Sequence, residues 1–187
     1  MSTELNRQKT LIVVVGPTAV GKTALAIQLA NHFKTSIISA DSRQFYSEMS
    51  IGTAKPNAEE LAQASHYFIN SHSIAEDYTA GDFEREALVR LAVLFKSTDV
   101  VIAVGGSGLF VRALTEGLDD LPKAGEEIRE KLNEWFRTEG LEPLKQRLKE
   151  IDPAYYDKAD IDNPHRVIRA IEVFEASGKP ITFFMNK

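Results

Sequence analysis

The sequence predicts an α/β fold, in which a parallel sheet is flanked by helices and a helical insertion follows late in the chain. Two observations lead to this prediction. Short apolar runs of strand character end at a glycine or an aspartate, namely "TLIVVV" at 10–15, "SIISA" at 36–40 and "DVVIAV" at 99–104. Segments with helical spacing of apolar residues separate these runs. Because strands that alternate with helices pair in parallel through right-handed crossovers, functional groups should gather at the carboxyl ends of the strands.

Composition narrows the class of protein. The chain has 187 residues, of which 43% are hydrophobic and 26% are charged, so it is long enough to bury a sizeable core. Neither a signal peptide nor an apolar run of about 18 residues is present, and we expect a cytoplasmic protein without a membrane span. The absence of cysteine excludes disulfides, thiolate nucleophiles and Cys-based zinc sites. A net charge of −5 disfavours nucleic-acid binding unless basic residues cluster locally.

The first strand runs into "GPTAVGKT" at 16–23, and a helical pattern starts at Lys22. Glycines at both ends of this loop let successive N–H groups point at phosphate oxygens, while Lys22 adds a charge and Thr23 offers a hydroxyl to Mg²⁺. A plain glycine-rich turn would explain the glycines but not Lys22 and Thr23. The fold is therefore predicted to be P-loop NTPase-like. The predicted diphosphate or nucleotide site consists of Gly16, Pro17, Thr18, Ala19, Val20, Gly21, Lys22 and Thr23.

An acid follows the second strand, at Asp41 in "ADSRQFY". Proteins that hydrolyse nucleoside triphosphates usually hold their metal with an acid at the end of a neighbouring strand. Here the third strand ends in "GGSG", and no Asn-Lys-x-Asp guanine motif occurs. A carboxylate at position 41 could accept a proton or hydrogen-bond a nucleophile. It could equally cap a helix or close a turn, and spacing alone leaves both interpretations open.

The later elements complete the predicted organisation. Segment 82–97 has apolar residues on one helical face, and segment 119–162 is charged and reads as short helices broken at Gly140 and Pro153. A helix after Asn163 has a capping residue, proline at its first position and Gly178 at its end. We expect an α/β core at 1–118, an RNA-facing helical insertion at 119–162 and a return to the core at 163–187.

Five motifs, in this order and at these separations, carry a resemblance: "GPTAVGKT", "DSRQFY", "IGTAKP", "GGSGLF" and "HRVIRAIEVFEASGKP". Together they resemble the tRNA dimethylallyltransferase family, whose members prenylate adenosine 37 beside the anticodon. The resemblance covers residues 11–182. It implies that the phosphate loop holds the diphosphate of dimethylallyl diphosphate, and that this diphosphate is the leaving group.

The resemblance also implies a mechanism. The N6 amine of adenine displaces diphosphate from C1 of the dimethylallyl group, and Asp41 matches the family's general base. Lys22, the loop amides and Mg²⁺ on Thr23 stabilise the charge that grows on the diphosphate. Thr18 matches a threonine near the bridging oxygen. The target base must be extruded from the anticodon loop of the tRNA partner.

Further matches imply contacts with tRNA, each with a simpler alternative. Ser107 stands where the family usually has threonine, or it is only a residue at a glycine turn. Arg129 approaches the anticodon stem, or it is a solvated side chain on a charged helix. The exposed residues of "HRVIR", His165, Arg166 and Arg169, approach RNA phosphates, or they pair with Glu172 at the surface. We expect a monomer. The predicted tRNA contacts are Asp41, Ser42, Arg43, Gln44, Ser107, Arg129, His165, Arg166, Val167, Ile168 and Arg169.

Three rival functions stay open from the residues. A small-molecule or nucleotide kinase would share the loop and Asp41, but it should show an arginine-rich lid, and segment 119–162 has only scattered arginines. The second rival is a related enzyme that prenylates free AMP or ADP. The third is a non-catalytic RNA-binding module. Each would share some of these motifs. The resembled family also continues for roughly another hundred residues beyond "ITFFMNK". We therefore expect residues 1–187 alone to bind dimethylallyl diphosphate weakly and to transfer it poorly.

Overall fold

The computed structural model describes residues 8–185, which divide into two units, the first ending at Leu118 and the second beginning at Asp119. The first unit alternates strands and helices. Its elements are β1 (Thr10–Val15), α1 (Lys22–Phe33), β2 (Ile37–Ser39), α2 (Ala58–Gln63), β3 (His66–Tyr67), α3 (Ala80–Leu94), β4 (Val100–Gly105) and α4 (Gly108–Thr115).

The strands form one parallel sheet in the order β1-β4-β2-β3, which confirms the predicted fold class. In its register Val15 lies beside Gly105, and Ser39 lies beside Val104. The carboxyl ends of β1, β4 and β2 therefore meet at one edge of the sheet. The short strand β3 was not predicted, because two residues are too few to show an alternation of apolar and polar side chains.

Both faces of this sheet are covered, which explains why its strands are apolar runs rather than alternating patterns. Ile102 and Val104 of β4 pack with Ala26 and Ile27 of α1 on one face. Successive side chains of a strand point to opposite faces. The intervening residues of β4 accordingly pack with α3 and α4 on the other face, in a cluster that includes Val101, Ala103, Phe83, Ala87, Leu91, Phe110 and Leu114.

The second unit is helical, with α5 (Glu126–Glu139), α6 (Glu142–Ile151), α7 (Pro153–Tyr156), α8 (Pro164–Ser177) and a 3₁₀-helix (Ile181–Phe183). The predicted breaks are confirmed, since Gly140 ends α5 with a φ of 80° and Pro153 begins α7. No helix in the part of the chain that the structure describes is long and apolar enough to cross a membrane.

Helix α8 begins and ends where predicted, but it belongs to a different unit from the one expected. The side chain of Asn163 accepts a hydrogen bond from the backbone N–H of His165, and Gly178 closes the helix at a φ of 68°. Segment 163–187 was expected to return to the α/β core. The structure instead groups α8 with the preceding helices, because Val167, Ile171 and Val173 form the buried centre of the second unit.

Candidate functional site

A cavity of about 680 Å³ lies in the first unit, where the carboxyl ends of β1, β2 and β4 meet. Its lining comes from the phosphate loop, the segment after β2, the loop at 52–56 and residues on or near β3. Among its lining residues are Gly16, Pro17, Thr18, Ala19, Gly21, Lys22, Thr23, Asp41, Ser42, Arg43, Gln44, Thr53, Ala54, His66, Gly106 and Ser107.

The phosphate loop leaves the start of α1 open to a ligand. Gly21 occupies the capping position with a left-handed φ of 89°, and no side chain of the described chain caps this helix. The first N–H groups of a helix lack intrahelical partners and attract anions. The ammonium of Lys22 lies across the loop and donates to the carbonyl oxygen of Pro17 at 2.6 Å. Backbone donors and a positive charge thus share one concave surface.

Asp41 lies half-buried just beyond β2. Its Oδ1 accepts a hydrogen bond from the backbone N–H of Arg43 at 3.1 Å, which is the turn-closing contact typical of aspartate. Its Oδ2 lies on the side of Gly106, where an added Cβ would stand 3.6 Å from that oxygen and 3.6 Å from the carbonyl oxygen of Gly16. The turn therefore uses Oδ1, while Oδ2 faces the junction of β4 and the phosphate loop. The two interpretations left open by the sequence are compatible.

The loops after β2 and β4 are joined by two hydroxyl groups. Ser107 occupies the capping position of α4, but its side chain does not cap that helix. Its Oγ instead accepts from the backbone N–H of Ser42 at 2.9 Å and donates to Ser42 Oγ at 3.0 Å. These bonds fix the loop that carries Asp41 against the end of β4.

The side-chain oxygen and nitrogen of Gln44 both form hydrogen bonds within the protein. Its Oε1 accepts from Ser39 Oγ at 2.9 Å, and its Nε2 donates to the carbonyl oxygens of Thr53 and Ala54 at 3.2 and 3.0 Å. Ala54 has a positive φ of 48°, which is uncommon for a residue other than glycine. Gln44, predicted as a tRNA contact, braces this turn at the cavity wall. Its neighbour Arg43 has an exposed side chain.

No role at the site was predicted from the sequence for two residues of this region, Lys55 and His66. Lys55 of "IGTAKP" donates to the carbonyl oxygen of Tyr46 and, at 2.7 Å, to Asn70 Oδ1, and burial lowers its pKa. His66 lines the cavity with Nδ1 2.8 Å from the carbonyl oxygen of Ala64, and burial lowers its pKa too. The motif that contains Lys55 was the available signal. His66 had none, because it lies on the unpredicted strand β3.

Thr23 and Asp41 both line the cavity and offer oxygen atoms, the ligands that Mg²⁺ prefers. Within residues 8–185, no group of three or more His, Asp or Glu side chains is placed to hold a metal. Mg²⁺ commonly binds through one or two protein groups, with substrate phosphates and water completing its shell. The residues present fit an ion of that kind and do not form a complete protein cage.

The second unit carries the remaining predicted tRNA contacts. His165 and Arg166 lie exposed on the first turn of α8, whereas Arg129 and Arg169 both pair with the buried carboxylate of Glu172. Val167 and Ile168 were also predicted to contact tRNA, and this prediction is wrong. They are 0% and 5% exposed within the helical core, so their side chains are not accessible to RNA. They hold α8 in place instead.

A phosphate loop between a parallel strand and a helix, with a carboxylate beyond β2 at the same edge of the sheet, defines the first unit as a P-loop α/β protein. The family model described as IPP transferase matches residues 44–187. The chain belongs to this family, which confirms the resemblance in its motifs.

Relatives and solved structures agree with this assignment. The chain is 52% identical over 177 residues to the tRNA dimethylallyltransferase of Christiangramia forsetii, covering 95% of this chain and 59% of that protein. It is 55% identical over 176 residues to that of Cytophaga hutchinsonii, covering 94% and 58%. Thus the chain spans less than two thirds of the length of these relatives.

Among solved structures, the tRNA isopentenylpyrophosphate transferase of Bacillus halodurans superposes with a TM-score of 0.58 at 35% identity, covering 92% of this chain and 57% of that one. A eukaryotic dimethylallyltransferase acting on tRNA gives a TM-score of 0.73 at 24% identity, with 96% and 44% covered, and supports the fold.

Proposed function

We propose that the protein transfers a dimethylallyl group from dimethylallyl diphosphate to N6 of adenosine 37 in tRNA and releases diphosphate. The observation that carries this proposal is the cavity in which the phosphate loop with Lys22 and the carboxylate of Asp41 line the same space. Relatives at about half identity that are named tRNA dimethylallyltransferase support the choice of substrates.

The diphosphate binds at the phosphate loop in this proposal. The open N-terminus of α1 and the ammonium of Lys22 compensate its negative charge, which increases as the C1–O bond breaks. Mg²⁺, held by Thr23 and by the diphosphate itself, supplies further charge compensation when bound. Thr18, exposed on the same loop, donates a hydrogen bond near the bridging oxygen.

Adenine is activated by the segment after β2, which lines the same cavity. Asp41 orients the N6 amine and accepts its proton as the N6–C1 bond forms, because an aromatic amine is a weak nucleophile. The two hydrogen bonds between Ser42 and Ser107, at 2.9 and 3.0 Å, hold the loop that carries this carboxylate in place. Since the target base is stacked in a loop, it is extruded into the cavity, where Arg43 and Ser42 meet it and its neighbours.

The exposed basic side chains of α8 contact tRNA phosphates. His165 and Arg166 lie together on its first turn and are exposed, so they are free to meet an RNA backbone. Arg129 and Arg169 contribute in the same way from partly exposed positions, with side chains that are 66% and 36% exposed.

Binding and acceptor measurements on the full-length protein test this proposal against its rivals. We expect calorimetry to detect dimethylallyl diphosphate with Mg²⁺, and we expect ATP to compete with it poorly. With radiolabelled dimethylallyl diphosphate, label should enter tRNA and not AMP or ADP. Tight ATP binding with phosphoryl transfer would establish the kinase instead, and labelling of AMP would establish the free-nucleotide enzyme.

A further inference from the structure

Glu172 is a charged residue in the interior of the second unit. It lies on α8 between Ile171 and Val173, and its side chain is only 3% exposed. Its two oxygens meet two arginines from different elements. Arg129 Nε of α5 lies 3.5 Å from Oε1, and Arg169 of α8 donates to Oε2 at 3.4 Å.

Stability alone does not account for this arrangement. Taking a carboxylate out of water is costly, and apolar residues of similar volume often replace a buried ion pair without loss of stability. Moreover, Glu172 Oε1 is buried without a hydrogen-bond partner, although the guanidinium of Arg129 is nearby. An apolar side chain such as leucine or methionine often joins two helices at least as favourably as a buried carboxylate does.

The two arginines remain available to a ligand. Their side chains are 66% exposed at Arg129 and 36% exposed at Arg169. Arg169 also donates to the carbonyl oxygen of Pro122 at 3.2 Å, so its guanidinium is held from two sides. A guanidinium has five N–H donors, and these contacts leave donors free on both residues. Arginine donors in a fixed fork suit phosphate oxygens.

We propose that Glu172 is a positioning residue, which holds Arg129 and Arg169 side by side as a pair that binds the phosphate backbone of RNA. This inference rests on the proposed function, because tRNA is the ligand of the pair. Glu172 itself does not touch the RNA. It fixes the side-chain rotamers of the two arginines before binding, so that less conformational entropy is lost when phosphate is bound.

The direction in which one substitution changes RNA affinity distinguishes this positioning role from a simple charge effect. Glu172→Gln keeps the shape of the side chain and removes one negative charge next to the proposed phosphate site. Charge alone predicts tighter RNA binding, since phosphate affinity depends on net positive charge. Positioning predicts weaker binding, because the two guanidinium groups lose their common anchor. The two explanations thus give opposite results.

Glu175→Gln is the matched control. Glu175 lies on the same helix, pairs with Arg147 at 3.2 Å and has a side chain that is 42% exposed. Its substitution removes the same charge without touching Arg129 or Arg169. It should leave tRNA affinity unchanged or slightly raised.

The experiment measures tRNA binding by the full-length protein and its two variants across a range of salt concentrations, with thermal unfolding as a check on folding. For Glu172→Gln we expect affinity to fall by roughly tenfold, and the slope of log K against log salt to lessen by about one, as for the loss of one phosphate contact. Combining it with Arg129→Ala should add little further loss, because both changes disable the same pair.

Glu172→Met is a second variant of similar length, for use if the glutamine variant does not fold. Affinity and salt slope equal to those of Glu175→Gln would overturn the inference while leaving the proposed function intact. Loss of folding in both Glu172 variants would assign the residue to stability and overturn it as well. If the unmodified protein did not bind tRNA, the proposed function and this inference would fail together.

Discussion

Gly105 ends β4 beside the cavity, where the backbone of Ala40, the residue after β2, lies very close to it. A Cβ at this position would lie 2.2 Å from the carbonyl oxygen of Ala40 and 2.7 Å from its carbonyl carbon. Both contacts are with backbone atoms, so no side chain can move aside. The close approach brings the end of β4 against the residue that precedes Asp41, and the geometry of the cavity depends on it.

We predict that Gly105→Ala destabilises the protein by about 1–3 kcal/mol or more, because the added methyl group must push β2 and β4 apart. Denaturant unfolding measures this loss. Gly108→Ala is the control, since a Cβ there meets nothing within 4 Å and the residue begins α4. It should change stability by less than about 1 kcal/mol. Equal effects of the two substitutions would show that the approach at Gly105 is not restrictive.

Asp41 is the residue whose chemistry the proposed function needs most. Asp41→Asn preserves the shape of the side chain and the bond that Oδ1 accepts from Arg43. It removes the capacity to accept a proton. We predict that turnover falls by roughly 10² or more, while the affinity for dimethylallyl diphosphate changes little. Steady-state kinetics and calorimetry measure the two quantities, and a parallel loss of both would instead make Asp41 a structural turn residue.

At the scale of elements, a single carboxylate ties the end of the second unit to α7. Asp152 is 3% exposed, and its oxygens accept from the backbone N–H and the hydroxyl of Thr182 and from the backbone N–H of Tyr155. The distances are 2.9 to 3.0 Å. This side chain therefore caps α7 and holds the 3₁₀-helix at the same time.

We predict that Asp152→Ala destabilises the second unit by about 1–3 kcal/mol, because the N–H groups of Thr182 and Tyr155 lose their acceptor. Hydrogen exchange at the Thr182 amide should accelerate strongly. Asp160→Ala, at an exposed position nearby in sequence, provides the comparison and should leave that exchange rate unchanged. Slow exchange at Thr182 in the Asp152 variant would mean that packing alone holds the 3₁₀-helix.

Elements with strong local signals were predictable, and those set by tertiary contacts were not. The ends of α8 follow from Asn163 and Gly178, whose local chemistry is sufficient to specify them. Strand β3 exists because β2 offers it an edge, which sequence periodicity cannot show. The same limit applies to the site. The phosphate loop is a local motif, whereas the role of Gln44 as a brace depends on a loop ten residues away.

At the scale of the whole molecule, an acidic protein is proposed to bind two polyanions. Its net charge is −5, so attraction must come from local groups rather than from the overall field. The two proposed ligands have different local groups. The phosphate loop addresses a diphosphate, and the exposed basic residues of α8 address RNA.

This separation predicts opposite effects of two substitutions. Lys22→Ala should weaken the binding of dimethylallyl diphosphate and leave tRNA binding nearly unchanged. Arg166→Ala should weaken tRNA binding and lessen its salt slope by about one, with little effect on the diphosphate. Calorimetry and filter binding give the two affinities for each variant. If both variants lost both ligands to the same extent, the sites would not be independent and the assignment of groups would be wrong.

Mass spectrometry of tRNA that has been incubated with the full-length protein, dimethylallyl diphosphate and Mg²⁺ tests the proposed transfer most directly. We predict that one nuclease fragment, the one containing adenosine 37, gains the mass of a single dimethylallyl group on its adenine. With Asp41→Asn, the rate at which this fragment gains mass should fall by roughly 10² or more. An unmodified tRNA, or a gain on a free nucleotide in place of tRNA, would contradict the proposed function.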